Sequence, residues 1–403
     1  LNNYTQTLAI SLDLIRAQEK PILFYEALHR MEREGVLDPV LERLPAPEEL
    51  LDREVAGGHL TRPELASLLA HAKLHLKQLI VSSGVPNDPA MLELVKRYFP
   101  PSALKVVERL DIEKHRLNAR ISSTILTNLF VDRMGATSHI LLMRESGRAA
   151  STVARTWYVA SEITDADDLY DRLREADTNV RVQAQNQWYL EISNSLSRTT
   201  RWLLQGTDLV QPIGNAIKAL HGPVREVRAA LPGMLTGHHL EDFQNDCNRH
   251  ERAGLDSALA EQLAIFRYVD ELLPMAALVR ETGASMEAVG AVYLGLAEEI
   301  NFPWLRTNIE TLAAEDHWGQ RAARILIARL EQARSRITAN VIVAATETTI
   351  EDAMQRFRHK NAVDLSRIRK IIAEIRATES PGLSAFIVAV DTVNEPQITE
   401  AII

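Results

Sequence analysis

The fold is decided by residues 61–84, Thr61-Arg62-Pro63-Glu64-Leu65-Ala66-Ser67-Leu68-Leu69-Ala70-His71-Ala72-Lys73-Leu74-His75-Leu76-Lys77-Gln78-Leu79-Ile80-Val81-Ser82-Ser83-Gly84. Apolar residues recur at Leu65, Leu68, Leu69, Ala72, Leu76 and Leu79, in steps of three and four, which places them on one face of a helix. The start is equally well marked. Thr61 can accept from the N3 amide, Glu64 can reach back to the Thr61 N–H, and Pro63 falls in the first turn, where no intrahelical donor is lost. Ser82-Ser83-Gly84 ends the segment.

The same period runs along most of the chain, and strand alternation is almost absent. The spacing predicts helices over Pro89–Phe99, stopped by Pro100-Pro101, and over Leu117 to Gly135, Ala149 to Ile163, Asp165 to Ala176 and Val180 to Leu204. Helices resume at Asp256 and continue, with a gap at Asn301-Phe302-Pro303, to about Arg376. The apolar run Gly382 to Val390 does not settle its own period and is read as a last helix. Between these groups lie Pro212, Gly214, Gly222-Pro223, Pro232-Gly233 and Gly237, which predict an irregular joint. The expected fold is all-α, a multi-helix array or bundle of two related helical units. A connector occupies 1–57, the first unit 58–206, the joint 207–255 and the second unit 256–403.

An internal echo supports two related units. Arg144-Glu145-Ser146-Gly147 with Val153 and Trp157 matches Arg280-Glu281-Thr282-Gly283 with Val289 and Tyr293 at the same spacing. Each copy reaches an isoleucine, Ile163 or Ile300, and each is followed by an Arg-rich helix with a tryptophan, Trp188 or Trp318. Ending a helix in Arg-Glu-x-Gly is common, but the match extends into the next helix, as duplication predicts.

Composition narrows the function. The 403 residues carry 45 Lys and Arg against 54 Asp and Glu, a net charge of −9, and no basic patch offsets that average to attract a phosphate backbone. Glycine and proline, 17 and 16, are scarce, and the mean hydropathy of −0.12 is that of a globular chain. One cysteine, Cys247, makes an internal disulfide impossible and fits a reducing compartment. No apolar run approaches the ~20 residues of a membrane span. The start, Leu1-Asn2-Asn3, has neither an initiator Met nor a signal-peptide pattern, and suggests a piece of something longer. Gly-x-Gly-x-x-Gly after a strand, Gly-x-x-x-x-Gly-Lys-Ser/Thr and Gly-x-Ser-x-Gly are all absent from the sequence.

Several residue groups could carry chemistry, and each has a plainer account. Asp167, Asp168 and Asp171 have the Asp-Asp-x-x-Asp spacing with which prenyl-diphosphate enzymes hold magnesium against a diphosphate. The second acidic motif of such enzymes is missing, since Asn245-Asp246 with Glu251 lacks its Ser or Thr. Asp165, Asp167 and Asp168 are better placed to cap a new helix and offset its dipole. His238, His239, Cys247 and His250, with Glu241 and Asp242, are zinc ligands by type, but only Cys247 to His250 has a familiar step. His71 and His75 share a helical face without the Glu of a metalloprotease, and Glu26 with His29 has no second copy for a diiron site. Arginine outnumbers lysine about four to one. On Arg321, Arg324, Arg329, Glu331, Arg334 and Arg336 it predicts an ion-pair lattice rather than an anion-binding face.

Three strings carry a resemblance: Asn3 to Leu12, Leu60 to Leu74 with Thr61-Arg62-Pro63-Glu64-Leu65-Ala66, and Val131-Asp132-Arg133-Met134-Gly135-Ala136-Thr137. In order and spacing they resemble the C-terminal region of the large bacterial NAD-specific glutamate dehydrogenases, and Arg144 to Ile163 continues the likeness. It covers most of residues 1 to about 340. Asp132 stands where that family usually has Asn, and Ser138 where it has an aromatic residue, departures that bear on local contacts at that turn. The resemblance implies oxidative deamination of L-glutamate with NAD in a large cytoplasmic homo-oligomer. It also implies that the catalytic residues and the dinucleotide fold lie before residue 1, so that no catalytic, cofactor or metal residue is assigned here. The expected partners are the enzyme's catalytic domain and neighbouring subunits, with neither nucleic acid nor membrane. A magnesium-dependent prenyl-diphosphate enzyme and a free-standing helical adaptor are the alternatives.

Overall fold

A computed structural model describes residues 2–19, 21–100, 102, 114–176, 180–206, 212–312, 317–345 and 349–395. Its regular elements are helices and one 3-10 turn, Val85–Asn87, with no strand among the described residues. The helices of the first half are α1 (Asn2–Glu19), α2 (Pro21–Arg33), α3 (Pro47–Val55), α4 (Arg62–Val81), α5 (Met91–Tyr98), α6 (Asn118–Met134), α7 (Ser138–Ser146), α8 (Ala150–Ile163), α9 (Ala166–Glu175) and α10 (Val182–Gln205). They are followed by α11 (Ile213–Met234), α12 (Gly237–Arg252), α13 (Ser257–Phe266), α14 (Val269–Thr282), α15 (Met286–Glu299) and α16 (Phe302–Leu312). The last are α17 (His317–Ala344), α18 (Ile350–Lys360), α19 (Ala362–Ala377) and α20 (Leu383–Val393). The chain is all-α, and the apolar run at 382–390 is the helix α20.

α4 starts as its sequence demands. Thr61 and Glu64 form the reciprocal box: Glu64 Oε2 accepts from the Thr61 backbone N–H at 2.7 Å and from the Thr61 hydroxyl at 2.8 Å. Arg53 at the end of α3 donates its Nη1 to both oxygens of the same carboxylate, at 3.0 and 3.1 Å. These bonds outweigh the cost of burying Glu64 and keep it below the usual carboxylate range. Of the stripe read from the sequence, Leu65, Leu68, Leu69, Ala72 and Leu76 are buried and Leu79 is half-buried, each large buried one contributing about 1.5–3 kcal/mol by leaving water.

Two compact units emerge, one built from residues 1–225 with 246–270, the other from 226–245 with 271–403. In the first, α4, α6, α8 and α10 form the centre, with Trp157 of α8 fully buried and edge-on to Phe130 of α6 at 5.1 Å. In the second, α17 is central, carrying α15, α16, α18 and α20.

Two stretches differ from the sequence reading. Residues 2–55, expected to be a connector, form α1 to α3 and supply Ala9, Leu12, Phe24, Ala27 and Met31 to the core of the first unit. Within 207–255, expected to be an irregular joint, 207–211 lie outside the described residues, and most of the rest is the helices α11 and α12. α11 continues through Pro223 and Pro232 because Val224, Val227 and Leu231, spaced by three and four, are buried. That apolar face outweighs one lost backbone donor per proline. Unit boundaries cut through α11 and α12 rather than falling in a loop.

The echo in the sequence has a structural counterpart. Gly147 and Gly283 end α7 and α14 with φ of 67° and 68°, and their N–H groups bond Met143 O and Val279 O, both at 2.9 Å. The preceding hydroxyls repeat too. Ser146 donates to Leu142 O and accepts from Arg148 N; Thr282 donates to Leu278 O and accepts from Ala284 N. At the same offset Val153 and Trp157 correspond to the buried Val289 and Tyr293, and Asp165 to Asn301, both left-handed with φ of 51° and 52°.

Candidate functional site

The strongest concentration of buried polar contacts lies in the first unit, around Asp13. Asp13 and Arg16 sit one turn apart on α1, and Asp13 is 0% exposed. Its Oδ1 accepts from Arg16 Nη1 at 2.8 Å and its Oδ2 from the Ala136 N–H at 3.0 Å. Arg16 Nη2 donates onward to the Arg133 carbonyl at 3.1 Å and Ser193 Oγ at 2.8 Å. The turn that presents Ala136 requires Gly135, whose φ is 91°; a Cβ there would lie 2.6 Å from Arg16 Nη1 and nearer still to Asp13 Oδ1. Burial raises the Asp13 pKa despite these donors.

The network continues on both sides. Lys73 of α4 pairs with Asp132 at 2.6 Å, and burial pushes Asp132 up against that attraction. Ser138 donates to the Met134 carbonyl, so both residues that depart from the family pattern are absorbed in local contacts. Arg133 pairs with Asp167, donates to Ser161 Oγ at 3.3 Å, and lies 4.5 Å over the Tyr170 ring and 6.0 Å from the Trp157 ring. Burial pushes Tyr170 up to about 12. Residues beside the first resembling string therefore meet residues of the third in space, and Lys73 of the second meets Asp132 of the third. The arrangement ties α1, α4, α6, α8, α9 and α10 together with charges that cancel internally.

The residues singled out in the sequence are largely not brought together. Asp167 is committed to Arg133 and Ser161, Asp171 pairs with Arg174 of its own helix at 3.0 Å, and Asp168 is exposed. Asp165 precedes α9 in a left-handed conformation without a side-chain capping bond, and instead accepts from or pairs with His221 at 2.8 Å. Capping is thus corrected for Asp165: at φ 51° its carboxylate is turned away from the free amides, whereas Asp167 and Asp168 keep their place in the first turn. His238 is exposed beside Glu241, 3.5 Å away, and burial lowers the pKa of His239. Cys247, half-buried, has its thiol raised by burial and by Glu261, Asp246 and Glu251. His250 is buried edge-on to Trp188, and burial lowers it to about 4. His71 faces Val36 O at 3.0 Å and Glu42 at 3.3 Å; Glu26 pairs with Arg144, and His29 stands 3.9 Å from Glu32. Among the described residues no group of three or more His, Cys, Asp or Glu is placed to hold a metal ion.

The Arg-rich face of α17 divides. Arg329 pairs with Asp391 at 2.7 Å and is half-buried, while Arg334 is 1% exposed. Arg334 donates to Tyr293 O at 3.0 Å, pairs with Glu271 at 2.7 Å, and lies between the rings of Tyr293 at 3.6 Å and Phe302 at 4.5 Å. Burial raises the Tyr293 phenol. Each unit thus sets one arginine against two aromatic rings, one of them at the repeated Trp157/Tyr293 position. Sequence reading passed over Asp13, Arg16 and His139. The spacing of Asp13 and Arg16 and the Gly135 in a resembling string were the available signals, and nothing marked His139. Phe24, Tyr25, Leu50, Leu51 and Leu60 line a small, largely apolar groove.

The family model described as glutamate dehydrogenase, C-terminal, matches residues 57–395. The NAD-specific glutamate dehydrogenase of Halomonas elongata is 26% identical over 392 residues, which is 97% of this chain and 24% of that protein. The NAD-specific glutamate dehydrogenase of Pseudomonas aeruginosa is 26% identical over 390 residues, 96% of this chain and 24% of its own length. That of Mycobacterium tuberculosis is 25% identical over 350 residues, 87% of this chain and 21% of its own. The chain therefore spans about a quarter of the length of the curated relatives it matches. No described helix is long and apolar enough to cross a membrane.

Proposed function

Because the chain belongs to the glutamate dehydrogenase C-terminal family, we propose that it is the non-catalytic helical portion of an NAD-dependent glutamate dehydrogenase. The complete enzyme would convert L-glutamate, NAD and water to 2-oxoglutarate, ammonium and NADH in the cytoplasm. This portion would brace the catalytic domain and contribute contacts between subunits of a homo-oligomer. The observation that carries the reading is the match over 57–395 combined with coverage of only about a quarter of each dehydrogenase.

The dinucleotide does not fit the described residues. A dinucleotide cradle is a strand leading through a glycine-rich turn into a helix, and no strand is present among them. The charged clusters around Asp13 and Arg334 are closed by their own counter-ions. The magnesium reading loses its support, because Asp167 is spent on Arg133.

The test is to assay the 403-residue chain alone for NADH formation from glutamate and NAD, and to measure its mass by light scattering. No turnover, with self-association or with binding to a separately made catalytic portion, is expected. NADH formation by the chain alone overturns the non-catalytic assignment. A strictly monomeric chain that binds no catalytic portion overturns the bracing role.

A further inference from the structure

We propose that an exposed stripe of α3 docks on the basic turn between α18 and α19 of a second copy of this chain, a contact that rests on the homo-oligomer proposed above and names two of its surfaces. The chain's charge of −9 hides one basic region, residues 353–376, with seven Lys and Arg against two Asp and Glu. Part of that charge is spent within the fold. Arg358 and Arg369 share the single carboxylate of Glu299, at 2.7 and 2.8 Å, and Arg367 pairs with Glu395. Arg356 and Lys360 are exposed, lie one helical turn apart on α18, and have no ion-pair partner among the described residues. Three residues past Lys360, across the turn at Asn361, Val363 is 80% exposed.

α3 carries the opposite charge in the same layout. Glu48, Leu51, Asp52 and Val55 recur at helical spacing and share one face, and all four are exposed, Val55 to 91%. The basic residue of α3, Arg53, is held by Glu49 at 2.6 Å and Glu64 at 3.0 Å. Glu48 and Asp52 are left without an ion-pair partner among the described residues. Each stripe therefore shows two like charges four residues apart and an exposed valine three residues further on, acids on α3 and bases at the end of α18. Like charges at that spacing repel within their own helix, and the approach of the other stripe relieves both.

The valine selects the partner. A phosphate backbone would neutralise Arg356 and Lys360 but leave Val363 in water, whereas the α3 stripe brings Leu51 and Val55 together with its carboxylates. Because the two stripes differ, the contact is heterologous, and each copy can offer both. Two stripes of this length fall short of the ~1,200 Å² at which stable interfaces begin, so the contact alone is weak and screened by salt. Between subunits already held by other contacts, its effective concentration is high.

Sedimentation of the full chain at high concentration tests the contact, with Glu48→Lys/Asp52→Lys and Arg356→Glu/Lys360→Glu as variants. All four positions are exposed, so the fold is not at stake. The parent should self-associate at low salt and come apart as salt rises. Each variant alone, with both stripes of one sign, should be monomeric, and the two mixed should associate as the parent does, since each supplies the charge the other lacks. Mixed variants that stay apart overturn the proposal. Self-association indifferent to salt and to both variants overturns this contact and leaves the homo-oligomer standing. A monomeric parent also overturns it, and binding to the separately made catalytic portion then decides the broader reading by itself. Duplex DNA bound by the parent and not by Arg356→Glu/Lys360→Glu, without association of the mixed variants, makes the basic turn a nucleic-acid surface and overturns it as well.

Discussion

Replacing Gly135 by alanine should unfold more of this molecule than any exposed substitution, and the cost can be worked from the turn. Gly135 has φ 91° and ψ 169°, a region essentially closed to residues with a Cβ, and the backbone strain alone is about 1–3 kcal/mol. The new methyl would also lie 2.6 Å from Arg16 Nη1 and nearer to Asp13 Oδ1, so the ion pair must withdraw. The Ala136 N–H then loses the carboxylate it bonds at 3.0 Å, which adds about 1–3 kcal/mol for a buried unsatisfied donor. A total of roughly 2–6 kcal/mol is expected, a large share of the ~5–15 kcal/mol that holds a domain. Gly147→Ala is the control. Its φ is 67° and nothing lies within 4 Å of its would-be Cβ, so only the left-handed penalty of about 1–2 kcal/mol applies. Urea denaturation followed by circular dichroism and tryptophan fluorescence reads both variants. If Gly135→Ala and Gly147→Ala shift the transition equally, the clash with Asp13 and Arg16 is not what that glycine avoids.

Thr61→Ala should cost about 1 kcal/mol through loss of the cap, because the hydroxyl that bonds Glu64 goes; a melting curve identical to the parent removes that account of the helix start. Asp167→Ala should cost about 1–3 kcal/mol by leaving Arg133 without its half-buried partner, whereas exposed Asp168→Ala should stay within about 0.5 kcal/mol; equal effects in urea titrations would contradict the assigned contacts. His250 is held neutral, its folded pKa lowered from 6.5 to about 4 chiefly by burial, so below pH 6.5 the unfolded chain binds the proton more readily. Stability should accordingly fall as pH drops from 6.5 toward 4, by up to about 1.4 kcal/mol per unit from this residue. His250→Leu should flatten that part of the pH profile, and an unchanged profile would show that His250 does not titrate against the fold.

Helix class, the start of α4 and the repeated glycine caps were legible in the sequence because they depend on neighbours within one or two turns. The apolar stripe from Leu65 to Leu76, the Thr61–Glu64 box and the matched Gly147 and Gly283 all act at that range. Continuation of helix through the expected joint was not legible, for a physical reason. Pro223, Pro232 and Gly237 signal breaks locally, and only the burial of Val224, Val227 and Leu231 decides that α11 continues. Tertiary structure alone decided the polar interior. Asp13 meets Ala136, Arg16 meets Ser193 and His75 meets His139 across separations that no period or spacing encodes. The acidic run at Asp167 shows the difference most plainly: its sequence allows a metal motif or a capped helix start, and the position of Arg133 in space takes Asp167 for an ion pair. Local pattern fixed most of the helices; long-range burial carried α11 through its prolines and, with charge neutralisation, determined what the side chains do.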